Sequence, residues 1–209
     1  VAFGLPQAMA LMLVPAFVTN VWQAASGGNG KALLRRLWPF LALAALTVWI
    51  GALALTRVNL AWLSALLGLL LVVYASVSLA GLRFTVTPRQ EPWAGPLVGA
   101  VNGVLSGMTG AYVVPGALYL QALGLERDAL VQAMGMLFLI STLALAAALG
   151  GNGFLNAELG GTSAAAVVPA LLGMMLGQVI RKRLSEQVFR KVFFAALLLL
   201  GGYIVLRAF

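Results

Sequence analysis

The residues that could bind a ligand lie at three places in the chain, each within an otherwise apolar stretch. They are Thr19, Asn20 and Gln23 in the first stretch, Asn102, Ser106, Gly107, Thr109, Gly110 and Tyr112 in a glycine-rich segment, and Ser141 in a later stretch. The side chains among them offer neutral hydrogen-bond donors and acceptors but no charge. They predict a binding site for a small polar ligand, with hydrogen bonds between packed helices as the alternative role for each polar side chain.

Groups that carry acid–base, nucleophilic or metal chemistry are nearly absent. The chain has no histidine, no cysteine and only five acidic residues. Each acid falls in a predicted loop or at the end of an apolar span; they are Glu91, Glu126, Asp128, Glu158 and Glu186. Without a buried carboxylate there is no acid–base pair, no Ser-His-Asp arrangement, no familiar metal site and no proton relay inside a membrane. We therefore predict a protein that is not an enzyme and that holds neither a metal nor a cofactor.

The glycine-rich segment 95–122 is apolar but makes a poor continuous helix. Its regular glycines and its breaks are Gly99, Gly103, Gly107, Gly110 and Pro115. In hydrocarbon such a segment is stable only where it is buried in protein or lines a cavity. We predict a re-entrant hairpin of two half-helices, each about 13 residues long, meeting at an unwound tip from Ser106 to Tyr112. Helix N-termini at the tip would hold an anion; the alternative is a ridge used only for helix packing.

The composition predicts an all-α integral membrane protein, because 62% of the residues are hydrophobic and only 9% are charged. A bilayer core of about 30 Å requires roughly 20 apolar residues in each helix. The predicted spans are 3–25, 38–56, 60–82, 129–149, 161–180 and 188–207, with the broken segment 95–122 between the third and the fourth.

The net charge of +8 comes from basic residues that gather between the spans. They lie mainly at 31–36 and 181–191 with little aromatic interleaving, so we expect them to contact lipid headgroups and not nucleic acid. Lysine and arginine mark cytoplasmic loops. The predicted cytoplasmic segments are 24–37, 83–94 and 181–190, and the predicted periplasmic segment is 150–160. These assignments agree only if the broken segment returns to the side from which it enters.

The order of elements suggests a duplication. The predicted units are a first repeat at 1–83, a cytoplasmic linker at 84–94 and a second repeat at 95–209. Thr19-Asn20 in the first half resembles Ser141-Thr142 in the second. The loop that follows this span is basic in the first half and lacks lysine and arginine in the second. Opposite bias is what an inverted-topology repeat predicts. Each repeat would then be a glycine-rich hairpin plus three transmembrane helices, and we expect that the first hairpin would precede Val1 and is missing from this chain.

Several strings in the sequence resemble the sulfite exporter TauE/SafE family. They are VPAFVTNVWQA at 14–24, RRLWP at 35–39, VNGVLSGMTG at 101–110, VPG at 114–116, LQALGL at 120–125 and VQAMG at 131–135. The resemblance covers nearly all 209 residues. It differs in one respect, since members of the family normally open with a further glycine-rich segment.

The resemblance implies a multi-pass permease of the bacterial inner membrane. Such a protein would move sulfite, an organosulfonate or a related small anion, commonly outward, with the lipid bilayer as its other partner. Two alternatives remain open at this point: a carrier of another small anion, and a membrane scaffold that transports nothing. The oligomeric state, the direction of transport and any coupling to protons or sodium are not indicated by the sequence.

Overall fold

The computed structural model describes residues 4–82, 84–155, 157–183 and 185–209, and within these ranges every regular element is an α-helix. The helices are α1 Leu5–Ala25, α2 Gly30–Arg57, α3 Leu60–Leu79, α4 Glu91–Thr109, α5 Gly116–Ala122, α6 Arg127–Gly151, α7 Ala157–Ala165, α8 Val167–Arg183 and α9 Glu186–Ala208. Six helical stretches of the described chain are long and apolar enough to cross a membrane. The predicted all-α class and multi-pass membrane character are therefore confirmed.

Two of the predicted spans have different boundaries in the structure. α2 begins at Gly30, so Lys31, Arg35 and Arg36 lie in its first two turns and not in a loop as expected. The span predicted at 161–180 is divided between α7 and α8 near Ala166. Pro169 explains this division, because proline has no backbone N–H to continue the hydrogen-bond pattern of a helix.

α1 packs against α6, and α3 packs against α9. α2 packs most extensively against α4. Two apolar clusters lie along α2, one containing Phe40 and Leu137 and the other containing Val48 and Leu145. The face of α6 that includes Leu137 and Leu145 is thus directed towards α2.

The glycine-rich segment is broken, but not at the predicted residues. α4 has 19 residues and α5 only seven, so the two arms are unequal and neither has the expected length. Ser106 to Thr109 are helical, and the non-helical stretch is 110–115. Helix formation continues to Thr109 because the flexible residue that ends it is Gly110, which adopts the left-handed conformation with φ +74°.

α5 returns alongside α4. The backbone N–H of Gly116, at the start of α5, donates to Oδ1 of Asn102 at 2.8 Å. At the end of α5, the carbonyl of Ala122 accepts from the N–H of Val86, which precedes α4, at 2.9 Å. The segment after α5 therefore lies beside the segment that precedes α4.

Candidate functional site

The break between α4 and α5 is held by side chains from the last two turns of α4. Ser106 donates to the carbonyl of Ala111 at 3.1 Å, and the N–H of Ala111 donates to Oγ1 of Thr109 at 3.2 Å. Asn102, which accepts from Gly116, also donates to Ser106 at 3.4 Å. Asn102 and Ser106 are fully buried. These predicted site residues are therefore brought together at the break, where they already bind one another and the backbone.

The helix ends at the break differ from the expectation of two positive ends facing an anion. α4 ends there with its carbonyl terminus, the negative end of its dipole. α5 begins there, but its first two N–H groups are occupied, since Gly116 donates to Asn102 and Ala117 donates to the carbonyl of Val113 at 2.8 Å. The first turn of α5 therefore offers an anion fewer free N–H groups than an ordinary helix N-terminus, and side-chain donors become more important.

A second polar group joins α1, α6 and the break. Nδ2 of Asn20 donates to Oγ1 of Thr142 at 3.3 Å, and both residues are buried. The Tyr112 hydroxyl, at the break, lies close to Thr142. Thr142 therefore links the polar residue predicted on the first span to the aromatic residue predicted at the tip.

Among the described residues, Ser141 has a buried hydroxyl without a partner. It is 0% exposed, and no hydrogen-bond partner for its Oγ is found within the described part of the chain. It lies one helical turn from Leu137 and one from Leu145, on the face of α6 that is directed towards α2. Leu137 contacts the first residue of α5, because a Cβ built on Gly116 would lie 2.7 Å from its Cδ2. Ser141 is therefore adjacent to the break.

The remaining predicted residues on α1 have less direct relations to the break. The hydroxyl of Thr19 donates within its own helix, to the carbonyls of Pro15 and Ala16 at 3.0 and 3.1 Å. Gln23 is half-buried at the contact between α1 and α6. Its backbone faces Gly135 of α6 so closely that a Cβ on Gly135 would lie 2.6 Å from the Gln23 carbonyl carbon. Gly135 thus permits the close approach that brings α1 to α6.

Gly107 lies at the contact between α2 and α4 and not on an open surface. A Cβ on Gly107 would overlap the carbonyl of Val48 and lie 2.7 Å from the backbone N of Ala52. Gly99 and Gly103 meet the backbone of α2 at Phe40 and Ala44 in the same way. The alternative role of this glycine ridge, close helix packing, is the one that the contacts favour.

Ser163 is a positioning residue that the sequence did not single out. Pro15 has no N–H, which leaves the carbonyl of Leu11 without its usual partner inside α1. Ser163 donates to that carbonyl at 2.9 Å and accepts from the N–H of Val14 at 3.2 Å. The helix that carries Asn20 is thus tied to α7 at its proline. A proline followed far along the chain by a serine gives no local signal of such a pair.

An ion pair lies beside the other end of the hairpin. Arg36 on α2 donates twice to Glu91 at the start of α4, at 2.7 and 2.8 Å. Both residues border a cavity of about 330 Å³ that is also lined by Tyr119 of α5. Tyr119 is buried between this cavity and the Asn102–Gly116 contact. The pair balances its own two charges.

A second cavity, of about 350 Å³, lies between α1, α6 and α7. Its wall is mostly apolar and includes Leu13, Phe17 and Ala146, with Thr142 and Ser163 as its polar members. Thr142 therefore separates this cavity from the break, where it meets Tyr112.

The comparisons with known proteins agree with the architecture. A family model described as "Sulfite exporter TauE/SafE" matches residues 1–204 of the chain. No curated protein and no solved structure matches the chain significantly. The described chain has six helical stretches able to span a membrane, and the family match covers nearly its whole length. This chain is therefore a multi-pass membrane protein that belongs to the sulfite exporter TauE/SafE family of transporters.

Proposed function

We propose that the protein is a permease that exports sulfite or a small organosulfonate across the bacterial inner membrane. The substrate would bind at the break between α4 and α5, next to Asn20, Tyr112 and Ser141. The observation that carries this proposal is the buried hydroxyl of Ser141, which has no partner in the described structure and lies beside a break in a membrane hairpin. A buried donor without a partner is costly, and a ligand oxygen would satisfy it.

The surrounding polar groups support a site for an oxyanion. Side-chain hydroxyls and amides donate to oxygen without adding a charge that would hold the anion too tightly to release it. Asn20 and Tyr112 approach from α1 and from the break, and both meet at Thr142. Helices from both halves of the chain would therefore share one ligand, as alternating access requires.

Transport of radiolabelled sulfite into proteoliposomes tests the function. Wild-type protein is expected to give flux above that of protein-free vesicles, with competition by methanesulfonate. Asn20→Ala removes the donor to Thr142 and is expected to raise KM roughly 3- to 18-fold, the equivalent of one interhelical hydrogen bond in a membrane protein.

Asn152→Ala is the matched control, because the one hydrogen bond found for the Asn152 side chain within the described residues is to the carbonyl of Ala148 in its own helix. It is expected to transport like the wild type. Absence of flux with both sulfite and methanesulfonate would show that the proposed function is wrong. Equal competition by unrelated oxyanions would favour a carrier of another small anion, and an unchanged KM in Asn20→Ala would remove that residue from the site.

We further propose that the two halves form an inverted repeat and that the hairpin of α4 and α5 is re-entrant. The hydrogen bond between Val86 and Ala122 supports re-entry, because it joins the segments on either side of the hairpin. Asn20 and Thr142 lie at the positions that the sequence pairs between the halves, and they hydrogen-bond to each other.

A reciprocal contact in the third pair of spans gives the same support. A Cβ on Gly68 would lie 2.6 Å from the carbonyl oxygen of Gly201, and a Cβ on Gly201 would lie 2.7 Å from that of Gly68. Reciprocal contacts of this kind are expected where two equivalent residues meet at a two-fold axis. An axis in the membrane plane would relate α3 to α9 in this way.

Labelling of single cysteines tests the topology, and the chain has no native cysteine to remove. Lys31→Cys and Gln187→Cys are expected to react with a membrane-impermeant maleimide only from the cytoplasmic side. Leu155→Cys is expected to react only from the periplasmic side. If Lys31→Cys and Gln187→Cys reacted from opposite sides, the hairpin would cross the membrane and the inverted repeat would be wrong.

A further inference from the structure

The site at the break is electrically neutral along every segment that forms it. Residues 92–125, which include α5 and all of α4 except Glu91, contain no charged residue, and neither do residues 129–151 of α6 nor α1. At the end of the hairpin away from the break, Arg36 and Glu91 neutralise each other through two hydrogen bonds. The substrate of such a site would meet dipoles but no opposite charge.

The charge of the substrate decides how costly this environment is. The Born cost of moving an ion out of water grows with the square of its charge, so a dianion has about four times the cost of a monoanion of equal size. Hydroxyl and amide donors offset part of this cost for one negative charge. A dianion is usually bound with the help of arginine, or at a helix N-terminus with several free N–H groups, and no arginine or lysine lies in the segments that form the break.

Ser141 supplies a donor that is not already used. Ser106 and Thr109 already donate to backbone carbonyls, and Thr142 accepts from Asn20. Ser141 Oγ is fully buried, has no partner within the described ranges, and lies on α6 one helical turn from Leu137, which contacts the first residue of α5. A hydroxyl in this state costs stability unless a ligand accepts its hydrogen.

We infer that the protein selects a singly charged oxyanion, hydrogen sulfite or a sulfonate, over a dianion of similar shape, and that the hydroxyl of Ser141 donates to one of its oxygens. The inference rests on the proposed function and adds the charge state of the substrate and the donor that meets it.

Flux in proteoliposomes with three anions tests the charge state. Methanesulfonate is a monoanion at all relevant pH values, sulfate is a dianion of similar size, and sulfite loses its remaining proton near neutrality. Sulfate flux is expected to be at least about tenfold below that of methanesulfonate. Sulfite flux, measured well below KM, is expected to fall about tenfold over about two pH units centred on the pKa of hydrogen sulfite. The chain has no histidine, so no side chain with an unperturbed pKa in that range complicates the profile.

Paired serine variants test the donor. Ser141→Ala is expected to raise KM for methanesulfonate while leaving the thermal stability unchanged or slightly higher, because the lost hydroxyl had no protein partner. Ser163→Ala is the comparison, since Ser163 is equally buried but has two backbone partners. It is expected to lower the thermal stability.

The outcomes separate the two levels of the proposal. If neither sulfite nor methanesulfonate is carried, the proposed function fails. If methanesulfonate and sulfate are carried equally well, or sulfite flux does not follow the hydrogen sulfite fraction, only the charge selection fails. If Ser141→Ala keeps the wild-type KM, or loses stability as Ser163→Ala does, the hydroxyl has no role in binding.

Discussion

Gly107→Leu is expected to abolish most of the folded protein. The side chain would enter the contact between α4 and α2, where even a Cβ overlaps the carbonyl of Val48. The neighbouring atoms belong to the backbone of a helix and cannot move aside as a flexible side chain could. Overpacking usually costs about 1–3 kcal/mol, and a clash with backbone puts this variant at about 3 kcal/mol or more. Thermal unfolding and the monodisperse yield in detergent measure the effect.

Gly202→Leu is the matched control. A Cβ on Gly202 would have no neighbour within 4 Å, and the residue lies within helix α9. Its yield and unfolding temperature are expected to remain near those of the wild type, because leucine also forms helices more readily than glycine. If Gly107→Leu folded as well as Gly202→Leu but lost transport, Gly107 would face the ligand, as the sequence first suggested.

Asn102→Ala is expected to detach α5 from α4. The variant removes the acceptor of the Gly116 N–H and the donor to Ser106, in a position with no exposed surface. Leaving a buried backbone donor without a partner costs about 1–3 kcal/mol. Hydrogen exchange of the amides in α5 should therefore become faster, while exchange in α3 and α9 should change little.

The control for this variant is again Asn152→Ala, since the one hydrogen bond found for that side chain within the described residues is to its own helix. Exchange in α5 is expected to be unchanged in the control. Equal protection of α5 in Asn102→Ala and the wild type would mean that Asn102 does not hold the hairpin together, and its place in the site would have to be reconsidered.

Much of the fold could be predicted because it depends on local properties of the chain. A run of apolar residues of membrane length forms a helix wherever it packs, since the bilayer leaves its backbone no other partner. The break was predictable for the same reason, from Gly110 and Pro115. Its boundaries were not, because Ser106 and Thr109 remain helical through hydrogen bonds to their own turn and to Ala111.

The candidate site was predictable in its residue types but not in their roles. Asn20 and Tyr112 were singled out on separate segments, and only the tertiary structure brings both near Thr142. The sequence left two roles open for Gly107, because the spacing of glycines is the same in a packing ridge and in a ligand-facing surface. The contact of Gly107 with the backbone of α2 favours packing.

The sequence by itself determined the membrane character of this protein, its family, the number of apolar spans and the neutral chemistry of its polar groups. These follow from composition and from patterns within single segments. Only the tertiary structure decided which hydroxyls are already engaged. Thr19 donates within α1 and Ser163 is tied to the proline of α1, whereas Ser141 is buried without a partner in the described chain. The physical reason is that a serine or threonine has one hydrogen to donate, and only the packing of the helices decides whether its acceptor is in its own helix, as for Thr19, or on a distant segment, as for Ser163.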